Sequence, residues 1–165
     1  MKTPKQKGNN FETKIARILS KWSYGDENVL VRNANSGSMA KFRQHNVPGG
    51  DVIQVKPEYP EFPFSVECKH HKGFDIEKLL FESSKSKEVK AWAQCLNDAV
   101  KVNKIPLMVF RKNYGDIFVC IQKVLIGTMP QDDYIAFKSK ARYCKNRTIA
   151  VLPLNDFIEF FKVKL

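Results

Sequence analysis

Residues 51–69 read DVIQVKPEYPEFPFSVECK, two short runs of strand-forming residues on either side of a segment with three prolines. The runs at 51–56 and 64–69 are rich in β-branched, aromatic or alternating apolar residues, and this composition predicts two β-strands. Proline cannot join the hydrogen-bond ladder inside a sheet, so residues 57–63 predict the turn between them. We expect the two strands to form a hairpin, or at least to lie side by side.

The elements around this stretch follow from apolar spacing. A helix is predicted to start at an asparagine cap near residues 8–10 and to end near 24, with Glu12 in its first turn. A strand at 29–32 and a loop at 33–50 lead into Asp51. Downstream, the pattern predicts a helix at about 85–103, strands at 105–111 and 116–121, a candidate strand at 148–152 and a closing helix at about 153–163.

These elements predict an α/β (α+β) fold, a single domain over residues 1–165 with a central mixed β-sheet flanked by helices. We place its core at about residues 7–123 and interpret 124–165 as a C-terminal extension packed on that core.

The charge of the chain indicates a polyanionic partner. There are 28 Lys and Arg against 17 Asp and Glu, which gives a formal net charge of +11. A surplus of this size favours association with nucleic acid or an anionic surface, although it says nothing about the fold. The longest apolar run, residues 105–110, is far shorter than the roughly 20 residues that span a bilayer. The four cysteines are dispersed without a C-x-x-C pair, so we expect reduced thiols and a cytoplasmic protein.

Two acids and a lysine are the candidate chemical groups of residues 51–69. Glu67 and Lys69 lie two apart on one strand and so share a face of the sheet, where Asp51 of the other strand can approach them. Two adjacent carboxylates repel each other, and a hard divalent cation such as Mg²⁺ relieves that repulsion. An E-x-K pair is also a common surface salt bridge, and an aspartate after Gly-Gly is a common turn residue, so these residues alone leave both interpretations open.

The order of several short motifs resembles that of a known superfamily. The series is Lys7-Gly8, Glu12 on the first helix, Arg32 at the end of a strand, Ser36-Gly37 in a loop, Gly50-Asp51 and Glu67-Cys68-Lys69. It resembles the PD-(D/E)XK nucleases, and within them it looks most like the archaeal-type and phage Holliday junction resolvases. The resemblance covers residues 7–111 and implies a restriction-endonuclease-like fold.

The resemblance implies a role for each matching residue of the active site. Asp51 and Glu67 would hold Mg²⁺, for which Mn²⁺ is expected to substitute, together with the main-chain carbonyl of Cys68. Glu12 would complete the metal site directly or through water. Lys69 would be the catalytic lysine, and Ser36 the loop serine required for cleavage.

The expected DNA contacts come from two sources. The resemblance implies that Lys7, Arg32 and Gln94 contact DNA near the cut. The charge of the loop suggests that Lys41 and Arg43 contact phosphates, although a solvated loop explains them equally well. The sequence departs from the superfamily pattern at Gly50, where a proline is usual, and at Thr13, where the resolvases often have arginine.

The resemblance predicts a DNA endonuclease that hydrolyses phosphodiester bonds at four-way junctions. A junction has near two-fold symmetry, so a homodimer is expected, acting at the nucleoid or in a phage-infected host. Two alternatives stay open at this point. The first is another PD-(D/E)XK endonuclease of restriction, repair or phage DNA processing, and the second is a non-catalytic DNA-binding domain.

Overall fold

A computed structural model describes residues 3–34, 49–70, 73–81, 86–111, 115–125, 135–138 and 148–161. The described elements alternate between helices and strands along the chain. They are α1 (Pro4–Tyr24), β1 (Leu30–Arg32), β2 (Val52–Gln54), β3 (Phe64–His70), α2 (Ile76–Phe81), α3 (Lys87–Lys101), β4 (Ile105–Arg111), β5 (Ile117–Gln122), a 3₁₀ turn (Lys123–Leu125), β6 (Ile135–Lys138), β7 (Thr148–Pro153) and α4 (Leu154–Phe160).

A five-stranded mixed sheet forms the centre of the molecule, in the order β3-β4-β5-β7-β6. β3 and β4 are parallel, and the other neighbouring strands are antiparallel. β1 and β2 form a separate two-stranded antiparallel sheet in which Val31 is opposite Ile53. The prediction of an α+β domain with a central mixed sheet and flanking helices is therefore confirmed.

The five-stranded sheet has a hydrophobic core on each face, because alternate side chains of a strand point to opposite sides. On one face, Val66 and Cys68 of β3 pack in a cluster with residues of α1 and α4, and Trp22 of α1 donates a 3.0 Å hydrogen bond to the Ile158 carbonyl. On the other face, Met108 and Phe110 of β4 pack with residues of α2 and α3. Glu67 and Lys69 alternate with Cys68 and so belong to the α3 face.

α1 begins earlier than the sequence pattern predicts. We expected an asparagine cap near residues 8–10, but Thr3 is the N-cap and Pro4 is the first helical residue. The Thr3 side chain accepts from the Gln6 amide, and the Gln6 side chain accepts from the Thr3 amide. This reciprocal capping box explains the earlier start. Pro4 also suits the first helical position, because an amide there would have no acceptor within the helix.

The strands predicted at 51–56 and 64–69 do not form a hairpin, although the two segments do lie side by side at Asp51. β2 pairs along its length with β1, and its link to β3 is the Asp51 amide, which donates a 2.6 Å hydrogen bond to the Val66 carbonyl. The intervening chain folds around Gln54, whose side-chain amide donates to the carbonyls of Lys56 and Tyr59 and whose oxygen accepts from the Phe62 amide. These bonds turn the chain away from β2 before it enters β3.

The segment after residue 123 contributes two of the five strands. β7 lies between β5 and β6, with Val119 opposite Leu152, and Leu152 and Phe157 belong to the same cluster as Val66. β6 and α2 were not predicted from the sequence. Within the described ranges, no helix has the length and apolar character needed to cross a lipid bilayer.

Ser20 joins α1 to β1 and supports a testable prediction. Its buried hydroxyl accepts from the amides of Val29 and Leu30 at 2.9 and 3.0 Å and donates to the Asp26 carbonyl at 2.5 Å. Ser20→Ala leaves two buried amides without this acceptor, so we expect a loss of about 1–3 kcal/mol in the free energy of unfolding, measured by urea denaturation.

The matched control is Ser23→Ala, three residues along the same helix. The Ser23 hydroxyl oxygen is buried and has no hydrogen-bond partner in the described part of the chain. Its removal should therefore be neutral or slightly stabilising. Equal losses of stability in the two variants would contradict the role given to Ser20.

Candidate active site

Glu12 and Arg32 bring α1 and β1 together at one end of the site. Glu12 Oε2 lies 3.5 Å from Arg32 Nη1, and their side chains are 17% and 25% exposed. Arg32 is the last residue of β1 and lies opposite Val52 of β2, directly after Asp51. The ion pair therefore holds the helix-borne acid beside the segment that contains Asp51 and leads into β2.

Asp51 covers the outer edge of β3. Its amide donates to the Val66 carbonyl, and its carboxylate oxygen Oδ2 accepts a 2.8 Å hydrogen bond from the Cys68 amide. The N–H and C=O of one strand residue point to the same edge, so the Cys68 carbonyl also faces this side of β3. Asp51 is 8% exposed, and its carbonyl accepts from the amide of Asn33 at 2.8 Å.

Gly50 makes this close approach possible. Its φ of +91° lies in the left-handed region, and a Cβ built there would be 2.6 Å from the Val66 carbonyl oxygen. The Gly50 carbonyl accepts a 3.0 Å hydrogen bond from the Asn33 side-chain amide. A proline, usual at this position in the superfamily, fixes φ near −65° and cannot adopt this conformation. Gly50 thus gives the backbone before Asp51 a conformation that a proline could not.

Glu67 and Lys69 form an ion pair on the α3 face of β3. Lys69 Nζ donates to Glu67 Oε1, and the side chains are 28% and 4% exposed, respectively. The nearly buried carboxylate is therefore paired with a partly accessible ammonium. The residues lie opposite Met108 and Phe110 of β4, two core residues that fix the position of the strand.

The charge of Asp51 acts on both glutamates of the candidate site. Burial, followed by the charge of Asp51, raises the pKa of Glu67 to about 7 against the opposing attraction of Lys69. Burial, followed by Asp51, also raises the pKa of Glu12, which Arg32 and Lys69 partly offset. For Lys69, burial lowers the pKa, but Glu67 and Asp51 together outweigh burial and raise it. A cation bound beside Asp51 would favour the ionised form of the nearby carboxylates.

The donor chemistry of these residues fits a hard divalent cation, although their side chains are not gathered into a closed cage. Among the described residues, no group of three or more His, Cys, Asp or Glu side chains is positioned to hold a metal ion. Carboxylate and carbonyl oxygens are nevertheless the ligands that Mg²⁺ takes, and Mg²⁺ commonly keeps several waters and needs only one or two carboxylates.

The other predicted residues lie at different distances from this centre. Lys7 is exposed on α1, and its carbonyl is 3.4 Å from Nδ1 of His70, at the end of β3. Gln94 is exposed on α3, and its side chain has no hydrogen bond to any described residue. Ser36, Lys41 and Arg43 lie outside the described residues.

Two residues that affect the site were not identified from the sequence. Asn33 is 2% exposed and binds both Gly50 and Asp51, as described above. Asp98 of α3 contributes to the raised pKa of Glu67. The position of Asn33 directly after the candidate Arg32 was a weak sequence signal for a role in the site. Asp98 lies 31 positions from Glu67, and the sequence gave no signal for its proximity.

The conformation of Gly50 yields a prediction for Gly50→Ala. A left-handed conformation costs roughly 1–2 kcal/mol for an L-residue, and the added methyl must also displace the Val66 backbone. We expect loss of the Asp51–Cys68 hydrogen bond, measured as faster hydrogen exchange of the Cys68 amide.

Gly25→Ala provides the matched control. Gly25 is also left-handed, with φ of +73°, but no atom lies within 4 Å of a Cβ built there. The Gly25→Ala variant should lose stability through backbone strain alone, and hydrogen exchange of its Cys68 amide should be unchanged. Unaltered Cys68 exchange in Gly50→Ala would contradict the close contact between the two segments.

The raised pKa of Glu67 predicts a pH-dependent stability in the metal-free protein. The folded chain binds this proton more tightly than the unfolded chain, so stability falls as pH rises from 4.5 to about 7. Glu67→Gln should therefore be more stable than the unsubstituted protein at pH 8 in chelator. The expected gain is at most about 3–4 kcal/mol, because the pKa rises from 4.5 to about 7 and one pKa unit corresponds to about 1.4 kcal/mol.

Thermal unfolding at pH 5 and pH 8 measures this difference. The gain in Glu67→Gln should shrink at pH 5, where the glutamate of the unsubstituted protein is largely protonated when folded. A gain that is the same at both pH values would show that ionisation of Glu67 is not its source.

Comparison with known proteins identifies a family for the chain. The model of one protein family, described as "Phage putative PDDEXK endonuclease", matches residues 3–164. Comparison with curated proteins and comparison with solved structures gave no significant match. The family match spans nearly the whole chain, including the acids of α1, β3 and the Asp51 segment, and the chain therefore belongs to this PDDEXK endonuclease family.

Proposed function

We propose that this protein is a metal-dependent DNA endonuclease that cuts phosphodiester bonds at four-way junctions through Glu12, Asp51, Glu67 and Lys69. The observation that carries the proposal is the Asp51–Cys68 hydrogen bond of 2.8 Å, which places one acid beside the strand that bears Glu67 and Lys69. Membership of a PDDEXK endonuclease family supports the reaction class, and the order of motifs along the chain supports the junction as substrate.

Asp51 and Glu67 would hold the cation, with the Cys68 carbonyl as a further ligand and Glu12 as a direct or water-mediated one. These residues offer oxygen donors from three parts of the fold, and at the edge of β3 one Asp51 oxygen is used by the Cys68 amide. Mg²⁺, or Mn²⁺ in its place, supplies Lewis-acid polarisation of the phosphate and a more acidic bound water when present.

Lys69 is the residue placed to stabilise charge during hydrolysis. Its ammonium is held by Glu67 and is partly accessible, so it can approach a phosphate oxygen that gains negative charge as water attacks phosphorus. Its raised pKa keeps it protonated at neutral pH, which suits charge stabilisation better than removal of a proton. Arg32 restrains Glu12 and offers a cation near the same phosphate.

A junction substrate implies a symmetric arrangement of two such sites. A four-way junction has near two-fold symmetry, so two copies of this chain in a closed dimer would each cut one of two opposed strands. Recognition would then rest on branched shape and backbone charge, to which the net charge of +11 contributes. We place this activity inside the cell that holds the DNA, at the nucleoid or on phage DNA.

Substitution of the acids should separate chemistry from folding. Asp51→Asn retains an oxygen that can accept from the Cys68 amide but loses the charge, and Glu67→Gln likewise keeps shape without charge. Each should lower the cutting rate more than about 100-fold, and Lys69→Ala should also lower it strongly. Junction binding, measured by fluorescence anisotropy, should be nearly unchanged.

The controls are Asp116→Asn and Glu77→Gln, which change the same residue types at exposed positions. Both should cut at the unsubstituted rate, and circular dichroism should show that all five variants are folded. Normal turnover by Asp51→Asn or Glu67→Gln would contradict the assigned site.

The substrate is tested by cleavage of a labelled four-way junction and a linear duplex of matched sequence, each with Mg²⁺ and with chelator. We expect paired symmetric nicks in the junction alone, and their loss in chelator. Equal cutting of the duplex would show that the enzyme accepts a wider range of DNA substrates and does not prefer junctions. Tight binding without any cutting would favour a non-catalytic DNA-binding domain.

A further inference from the structure

The outer face of α1 carries a regular row of polar and cationic side chains. Lys7, Lys14 and Lys21 recur every seven residues, with Asn10 and Arg17 between them, and all five are exposed. At about 100° per residue they fall within one narrow stripe of the helix, which extends for about 21 Å at 1.5 Å per residue. We call these five residues the α1 stripe.

The α1 stripe does not follow the pattern that stabilises a helix. The helix carries five Lys or Arg and the single acid Glu12, and its first turn has no acidic residue. Like charges three and four residues apart repel, and cations such as Lys5 and Lys7 near the N-terminus oppose the helix dipole. The arrangement therefore lowers the stability of the helix, and a bound anion would reduce the repulsion between the cations.

The middle of the α1 stripe is the part most available to an anion. Lys21 forms an exposed ion pair with Glu27 at 3.1 Å. Lys14 and Arg17, by contrast, make no ion pair with any residue in the described ranges. Asn10, Lys14 and Arg17 line an open groove of about 410 Å³ on this side of the molecule. An elongated anion with regularly spaced charges, such as a nucleic-acid backbone, fits this row.

The middle of the α1 stripe and Glu12 of the candidate active site lie on opposite sides of the same helix. Glu12 points roughly 180° away from the middle of the stripe, as the helical repeat requires. Phe11, Ile15 and Leu19 also face the core, so α1 has no free apolar face with which to enter a membrane surface. A straight duplex at the β3 edge would have to pass around a helix about 10–12 Å in diameter to reach the stripe.

We propose that the α1 stripe is a second DNA-binding surface, which holds the backbone of a different DNA segment from the one at Asp51 and Glu67. This inference rests on the proposed function, since it assumes DNA at the carboxylate site. Branched DNA supplies such a second segment in the form of another arm. The surface would thereby favour branched over linear DNA through charge and position, without contacts to the bases.

The test compares Lys14→Gln/Arg17→Gln with Lys78→Gln/Lys90→Gln. The second pair removes the same charge from exposed positions on α2 and α3, on the face of the sheet that carries Glu67 and Lys69, so it measures the effect of charge near the carboxylate site and away from the α1 stripe. Both pairs are made in the Asp51→Asn background, and binding to a four-way junction and to a matched linear duplex is measured between roughly 50 and 200 mM salt. Thermal unfolding checks that each protein is folded.

Lys14→Gln/Arg17→Gln should weaken junction binding and reduce the slope of log K against log salt by close to 2, about 0.9 per lost phosphate contact. Duplex binding should change no more than it does in the control pair. Identical behaviour of the two pairs on the junction would overturn the inference, and so would equal losses on junction and duplex.

Cleavage by the protein with Asp51 intact separates this inference from the proposed function. Normal cutting of the junction by the unsubstituted protein, with no binding defect in Lys14→Gln/Arg17→Gln, would overturn the second surface alone. A selective binding defect in a protein that cuts no DNA would support the surface and overturn the proposed catalytic function.

Discussion

The geometry of the candidate site depends on the hydrogen bond from the Cys68 amide to the Asp51 carboxylate. This bond joins two segments 17 residues apart. A second hydrogen bond, from the Asp51 amide to the Val66 carbonyl, links the same two segments. Gly50 permits the approach because it has no side chain, and Asn33 binds the segment from the other side. The small β1–β2 sheet, Arg32 and, through Arg32, Glu12 are thereby placed beside β3.

This geometry concentrates negative charge in an otherwise basic chain. Asp51, Glu67 and Glu12 lie where burial and mutual repulsion raise the pKa of the two glutamates, and Lys69 and Arg32 offset only part of that effect. Such a site reduces the stability of the metal-free protein, as functional sites commonly do. The hydrophobic core offsets this loss of stability, because apolar clusters pack on both faces of the sheet at β3 and β4.

Local pattern was sufficient for much of the fold, whereas the residues of the candidate site were selected by the order of motifs along the chain. Alternation and apolar runs predicted β3, β4 and α3 to within a few residues, because each has a buried stripe of its own. The start of α1 was missed because the Thr3–Gln6 capping box outweighs the asparagines that follow. The partner of β2 could not be read from its sequence, since pairing with β1 depends on the Gln54-centred turn and on distant packing.

Within the described part of the chain, β3 is the first strand of the five-stranded sheet and would otherwise present unpaired backbone groups to solvent. The Asp51 main-chain amide donates to the Val66 carbonyl, and the charged Asp51 carboxylate, instead of a further strand, accepts from the Cys68 amide. Open sheet edges recruit strands from other molecules, and an inward-facing charge discourages such pairing. The residue proposed to hold the metal thus also covers part of the β3 edge on which a strand of another molecule would have to pair.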